Sequence, residues 1–180
     1  GDVEASAIAR YDPATDVWSA LGSGIGGSSP SVGALVVLPG GEVFVGGGYF
    51  TTAGGVAASN IARYNSSTGI WSALGSVTDF GVSDGVSALA VLPDGDLIVS
   101  GGFATAGGLP ANLIARYSPA TGVWSALGSG VNGPLAGTGP FVSTLAVLPD
   151  GDVIAGGNFT TAGGIAAKKI ARYSPTTGEW

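Results

Sequence analysis

Residues 87–127 read SALAVLPDGDLIVSGGFATAGGLPANLIARYSPATGVWSAL, and the chain repeats this stretch along its length. Ser87–Leu92 is a short apolar run stopped by Pro93, which predicts a strand buried on both faces. Pro93-Asp94-Gly95 is turn chemistry, the glycine supplying the positive φ of a tight hairpin. Asp96–Phe103 then returns as a second strand, its glycine pair allowing a bulge or a close backbone approach. Ala104–Pro110 is expected as a polar loop, Leu113–Tyr117 as a third strand and Val123–Leu127 as a fourth, beyond the turn Ser118–Gly122.

The tetrapeptide Ile-Ala-Arg-Tyr occurs at Ile8–Tyr11, Ile61–Tyr64, Ile114–Tyr117 and Ile170–Tyr173, and tryptophan occurs only at Trp18, Trp71, Trp124 and Trp180. Both series advance by 53, 53 and 56 residues. The three extra residues fall in the Gly/Pro-rich stretch Gly128–Pro140, where a loop absorbs length at little entropic cost. Four short antiparallel strands at a period near ~50 are the unit of a propeller blade. The expected fold is therefore all-β, a β-propeller of four-stranded antiparallel blades. Residues 1–32 supply a partial blade (the third and fourth strands, Ala7–Tyr11 and Val17–Leu21) plus a linker. Residues 33–85 and 86–142 are complete blades, and 143–180 is a blade lacking most of its last strand. Rings usually close with at least ~4 blades. The strand count thus favours a fragment of a longer repeat protein, or an assembly, over a self-sufficient monomer, an open blade edge being a template for pairing.

The repeats resemble the kelch motif. A strand ends in Gly101-Gly102, followed by Tyr117 and Trp124, and the pattern recurs as Gly47-Gly48, Tyr64, Trp71 and as Gly156-Gly157, Tyr173, Trp180. Tyr11-Asp12-Pro13-Ala14-Thr15 is similar to the kelch Tyr-Asp-Pro turn, and the wording FTTAGG…NIARY…W is similar to kelch-like repeats of secreted bacterial proteins and fungal cortical-marker proteins. The resemblance covers essentially the whole chain. It implies a propeller and a binding platform, not a chemistry. Copper oxidases built on kelch-type blades need histidine and a cysteine–tyrosine crosslink, and this chain has neither His nor Cys.

Composition narrows the function classes. Glycine is 34 of 180 residues and charged residues are only 10%, which suits many short strands and leaves little charge to solvate the surface, so association is expected. The net charge of −6 argues against nucleic acid and anionic membranes as partners. The one adjacent cation pair, Lys168-Lys169, reads as a solvated strand edge. Without Cys or His there is no disulfide, thiolate site or imidazole, no cofactor is implied, and no apolar run approaches a membrane span. The first residue, Gly1, is expected to reflect processing or a window on something longer.

Several residues are candidates for sites. The arginines Arg10, Arg63, Arg116 and Arg172 could form a ring of cations for carboxylates or sulfated sugars. Their recurrence at one blade position favours stacking on Tyr or Trp, or bonding to strand-end carbonyls, within each blade. The paired aromatics Tyr11/Trp18, Tyr64/Trp71, Tyr117/Trp124 and Tyr173/Trp180 could line a sugar-binding face, but packing between blades is favoured. Asp94/Asp96 and Asp150/Asp152 read as turn residues rather than a Ca²⁺ site, and Asp79/Asp84 is equally weak as an acidic pair. Asn65-Ser66-Ser67 and Asn158-Phe159-Thr160 fit the N-glycosylation pattern. Thr51, Thr52, Thr105, Thr160 and Thr161 stand in recurrent loops expected on one rim, where a partner would touch. No nucleophile elbow, phosphate loop or convergent carboxylate pair is present, so no catalytic residue is assigned and no enzyme is expected. The expected function is a secreted or cell-surface scaffold or protein-interaction module that pairs with a protein or with copies of itself; the alternative is a glycan-binding propeller using its rim loops.

Overall fold

The computed structural model describes residues 4–75, 81–134 and 139–180. The three-residue insertion in Gly128–Pro140 and the Asp79 half of the Asp79/Asp84 pair fall partly or wholly outside them. Among the described residues there is no α-helix, and every named strand pairing is antiparallel.

The stretch 87–127 forms one four-stranded meander: Val86–Val91, Leu97–Gly101, Ile114–Ser118 and Val123–Ala126, paired in chain order. Residues 25–73 build the same meander from Ile25–Val37, Glu42–Ala53, Ile61–Asn65 and Ile70–Ala73. Residues 141–173 supply three strands, Phe141–Val147, Val153–Asn158 and Ile170–Tyr173. The N-terminal unit is a lone hairpin, Ala9–Asp12 with Val17–Ala20. Its register, Tyr11 opposite Trp18, is that of Tyr64 with Trp71 and of Tyr117 with Trp124.

The stretch Ala104–Pro110, expected as a loop, is a miniature hairpin in which Thr105 faces Pro110 and Ala106 faces Leu109. Thr52–Ala53 pairs likewise with Val56–Ala57, and Thr161–Ala162 with Ile165–Ala166. Each of these hairpins is also tied to the linker leaving the preceding repeat: Ala53 to Ile25, Ala106 to Val82 and Ala162 to Val131. Two-residue strands bury one alanine each, too little for the alternation that announces a longer strand.

The first strands of the three repeats lie side by side, so the sheets stand around a common line and pack face against face. One layer joins Phe44, Ile61 and Leu74 to Leu97, Val99, Ala115, Tyr117 and Trp124 of the next sheet. A second joins Leu92, Ile98, Ile114 and Leu127 to Val153, Ala155 and Tyr173. Each fully buried Leu, Ile or Phe contributes about 1.5–3 kcal/mol, so these seams, rather than any single sheet, hold the chain together.

Candidate functional surface

The seam is built from one residue type at one position. Trp71 Nε1 donates to the Leu21 carbonyl at 2.9 Å, Trp124 to Leu74 at 3.2 Å and Trp180 to Leu127 at 2.9 Å. Each indole thus ties its own repeat to the residue just past the last strand of the repeat before. Beside each ring runs a glycine of the miniature hairpin, Gly54, Gly107 or Gly163, with φ near +55° and no space for a Cβ against the indole. Trp18 makes no such bond among the described residues. It and Tyr11 are 45% and 43% exposed, whereas Trp124 is 4% exposed. In all four units the tyrosine and tryptophan rings are tilted, with centroids 4.9–5.2 Å apart. Burial pushes the Tyr117 and Tyr173 phenols above their ordinary pKa.

The arginines meet neither of the partners favoured from the sequence. Arg116 binds Asp96 through Nε at 2.7 Å and Asp94 through Nη2 at 2.6 Å. Arg172 grips Asp152 and Asp150 in the same manner, and Arg63 reaches Glu42 at 3.2 Å and Ser72 at 3.1 Å. The reason is register: Arg116 lies opposite Ile98, two residues past Asp96, so its side chain runs back to the Asp-Gly-Asp turn. The guanidinium holds the Asp152 carboxyl below its ordinary pKa, with help from the Ser174 hydroxyl, and Asp152 in turn raises Arg172. The acidic turns are therefore occupied by arginine, and no group of three or more Asp or Glu among the described residues is placed to hold a metal ion. Arg10 belongs to the hairpin that has no first or second strand, and among the described residues it has no carboxylate at ion-pair distance.

The glycine pairs of the three repeats are not equivalent. Gly47, Gly101 and Gly157 are the equivalent positions, each donating its N–H across to the third strand's start, to Asn60, Leu113 and Lys169 respectively. A Cβ at any of the three would collide with the first-strand backbone, at Ser31, Gly85 or Phe141. In the last repeat the pair Gly156-Gly157 is thus one residue out of step with Gly47-Gly48 and Gly101-Gly102.

On the rim, Thr51 and Thr160 are exposed, while Thr52, Thr105 and Thr161 are half-buried in the miniature hairpins. The Ser83 hydroxyl accepts the Ala104 and Thr105 N–H groups, and Thr161 Oγ1 donates to the Asn132 carbonyl. Lys168 and Lys169 are exposed. The two ends of the stack carry open apolar faces. At one end Leu35 and Val37 are 52% and 62% exposed, although their counterparts Leu89, Val91, Leu145 and Val147 are covered in part by a neighbouring repeat. They border an apolar groove of about 360 Å³ that also takes in Ile8, Leu21, Val43 and Tyr64. At the other end Ile170 is exposed.

Three segments of the chain, residues 41–67, 92–122 and 148–178, match the "Domain of unknown function (DUF5122) beta-propeller" family. These are β-propeller repeats. Each matched segment opens at the first turn of a repeat and ends in or just beyond the turn after its third strand, so it contains the arginine clamp. No curated protein matches the chain at a significant level. Among solved structures, the extracellular domain of a one component system from B. thetaiotaomicron is similar over 82% of the chain, at 16% identity and a TM-score of 0.50. The extracellular domain of a hybrid two component system from the same organism covers 82% at 15% identity, with a TM-score of 0.54. The chain spans only 16% of the length of either structure. Virginiamycin B lyase from Staphylococcus aureus is 17% identical over 79% of this chain and 41% of its own, with a TM-score of 0.41, too low to bear on activity.

Proposed function

We propose that the chain is a non-enzymatic, extracellular structural scaffold or protein-interaction module of kelch-like propeller blades, acting through the open faces at its ends. The observation that carries the reading is the exposed apolar face of Tyr11, Trp18, Leu35 and Val37. The same positions are covered or half-covered wherever a further repeat follows or precedes them. A face of this kind marks a protein contact rather than a solvated surface. The weak charge of the chain, 10% Asp, Glu, Lys and Arg, favours the same behaviour. Extracellular placement rests on the solved neighbours being extracellular domains, and among the described residues no helix is long and apolar enough to cross a membrane.

Light scattering on a sizing column tests the reading. The 17.3 kDa chain is expected to elute as a particle of at least twice that mass, and Val37→Lys with Leu35→Lys is expected to return it to a monomer. A wild-type monomer throughout a concentration series, with no capture of a protein partner, sinks the proposal.

A further inference from the structure

We infer that the rim around Tyr49 is a binding site for a neutral sugar. The first repeat differs in length from the other two at this rim. Gly47, Gly101 and Gly157 are equivalent by their hydrogen bonds, and so are the buried Phe50, Phe103 and Phe159, whose carbonyls receive the N–H of Asn60, Leu113 and Lys169. Between glycine and phenylalanine the second and third repeats hold one residue, Gly102 or Asn158; the first holds two, Gly48 and Tyr49. Tyr49 is therefore an inserted residue, and it is pushed outward to 72% exposure.

Its backbone is strained. Tyr49 has φ +57°, a left-handed conformation that an aromatic L-residue adopts at a cost and glycine adopts freely. Seven non-glycine residues among the described ones have a positive φ, Leu113 and Lys169 included; Tyr49 is the aromatic among them, and its ring covers little of the core. An exposed aromatic held in an unfavourable conformation contributes little to stability, which points to use.

The surroundings define the ligand. Tyr49 borders a cavity of about 440 Å³ whose wall also includes Ser28, Thr51, Asn60, Ser83 and Asp84. That volume suits one or two sugar units. A flat exposed ring takes the apolar face of a pyranose, while hydroxyls, an amide and a carboxylate supply the mixed donors and acceptors that sugar hydroxyls need. The polar groups are fixed in place: Asn60 Nδ2 donates to the Val82 carbonyl at 3.3 Å, and Asp84 Oδ1 accepts the Gly85 N–H at 2.6 Å. No Lys or Arg lines the cavity, and Asp84 with the net charge of −6 disfavours anionic glycans and acidic peptides. The site stands apart from the apolar end face and does not depend on association.

The test uses the methyl glycosides of glucose, galactose and mannose, and N-acetylglucosamine, titrated to about 20 mM against an expected Kd of about 1 mM. Saturation-transfer NMR should show saturable binding of at least one. Tyr49→Gly should lower that affinity at least about tenfold while leaving the unfolding midpoint unchanged or raised, because the backbone strain is relieved. Tyr49→Phe should keep most of the affinity, and Asp84→Asn should weaken it. Absence of saturable binding to all four sugars overturns the inference. So does undiminished binding by Tyr49→Gly, or a Tyr49→Gly chain less stable than wild type, which would make the ring structural.

Discussion

Trp124→Phe and Trp18→Phe make the same chemical change at the same position of two repeats, and the seam predicts very different costs. Trp124 is 4% exposed and donates to the Leu74 carbonyl at 3.2 Å; Trp18 is 45% exposed, and its indole N–H meets no acceptor among the described residues. Phenylalanine keeps an aromatic ring beside Tyr117 but removes the N–H. The carbonyl of Leu74, a fully buried residue, then loses its indole donor, a hydrogen bond worth about 0.5–1.5 kcal/mol. The smaller ring also vacates roughly 40 Å³, worth about 1 kcal/mol at the cavity coefficient for buried substitutions. Trp124→Phe should therefore cost about 1.5–2.5 kcal/mol, a fall in Tm of roughly 3–10 °C for a chain of this size. Trp18→Phe should change stability by no more than about 0.5 kcal/mol. Urea unfolding followed by far-ultraviolet circular dichroism measures both, with an unchanged m-value as the check that the transition is the same. If Trp18→Phe costs as much as Trp124→Phe, or Trp124→Phe costs almost nothing, the inter-repeat hydrogen bond is not what the buried indoles are for.

Two further outcomes follow from single groups. Ser100 replaces the glycine found at the equivalent positions Gly46 and Gly156, and its Oγ is buried without a hydrogen-bond partner; Ser100→Ala should raise stability by about 1 kcal/mol in the same urea assay, and a loss of stability would show that the hydroxyl is satisfied after all. The Asp152 carboxyl has a folded pKa held below its unfolded value by Arg172, so its stabilising contribution is present above about pH 4 and is lost as pH falls through the folded value. The stability difference between wild type and Arg172→Gln should accordingly shrink between neutral pH and pH ~3, and a difference that stays constant over that range would contradict the ion pair.

What the sequence made legible was the recurring part. Ile-Ala-Arg-Tyr and the following tryptophan return in phase, and the strands they mark lie within a residue or two of the expected ones, Ile114–Ser118 against Leu113–Tyr117. The arginine clamp was hidden because its partners are twenty or more residues apart and meet only through the antiparallel register. A signal was nonetheless present: every repeat with an acid at position 42, 96 or 152 carries the arginine that meets it at 63, 116 or 172. The miniature hairpins were hidden for a different reason, since a two-residue strand has no periodicity to read.

The exceptions to the repeat bear more on function than the repeat itself. A residue that returns in every unit, such as Trp71, Trp124 and Trp180, is explained by the seam that every unit makes. Tyr49 returns in none, and its presence is written in the spacing: Leu38 to Ile61 is one residue longer than Leu92 to Ile114 or Leu148 to Ile170. The tryptophan spacing stays at 53 residues because the stretch Trp18–Leu38 is one residue shorter than Trp71–Leu92, and Tyr49 itself is expelled to the rim rather than passed into the core. Trp18 departs in the other direction, a seam residue that stands 45% exposed among the described residues. The two departures make separable demands. Replacing Tyr49 should leave association untouched, and replacing Leu35 and Val37 should leave sugar binding untouched. A variant at either place that abolished both would mean that the rim and the end face belong to one surface, and that neither reading stands alone.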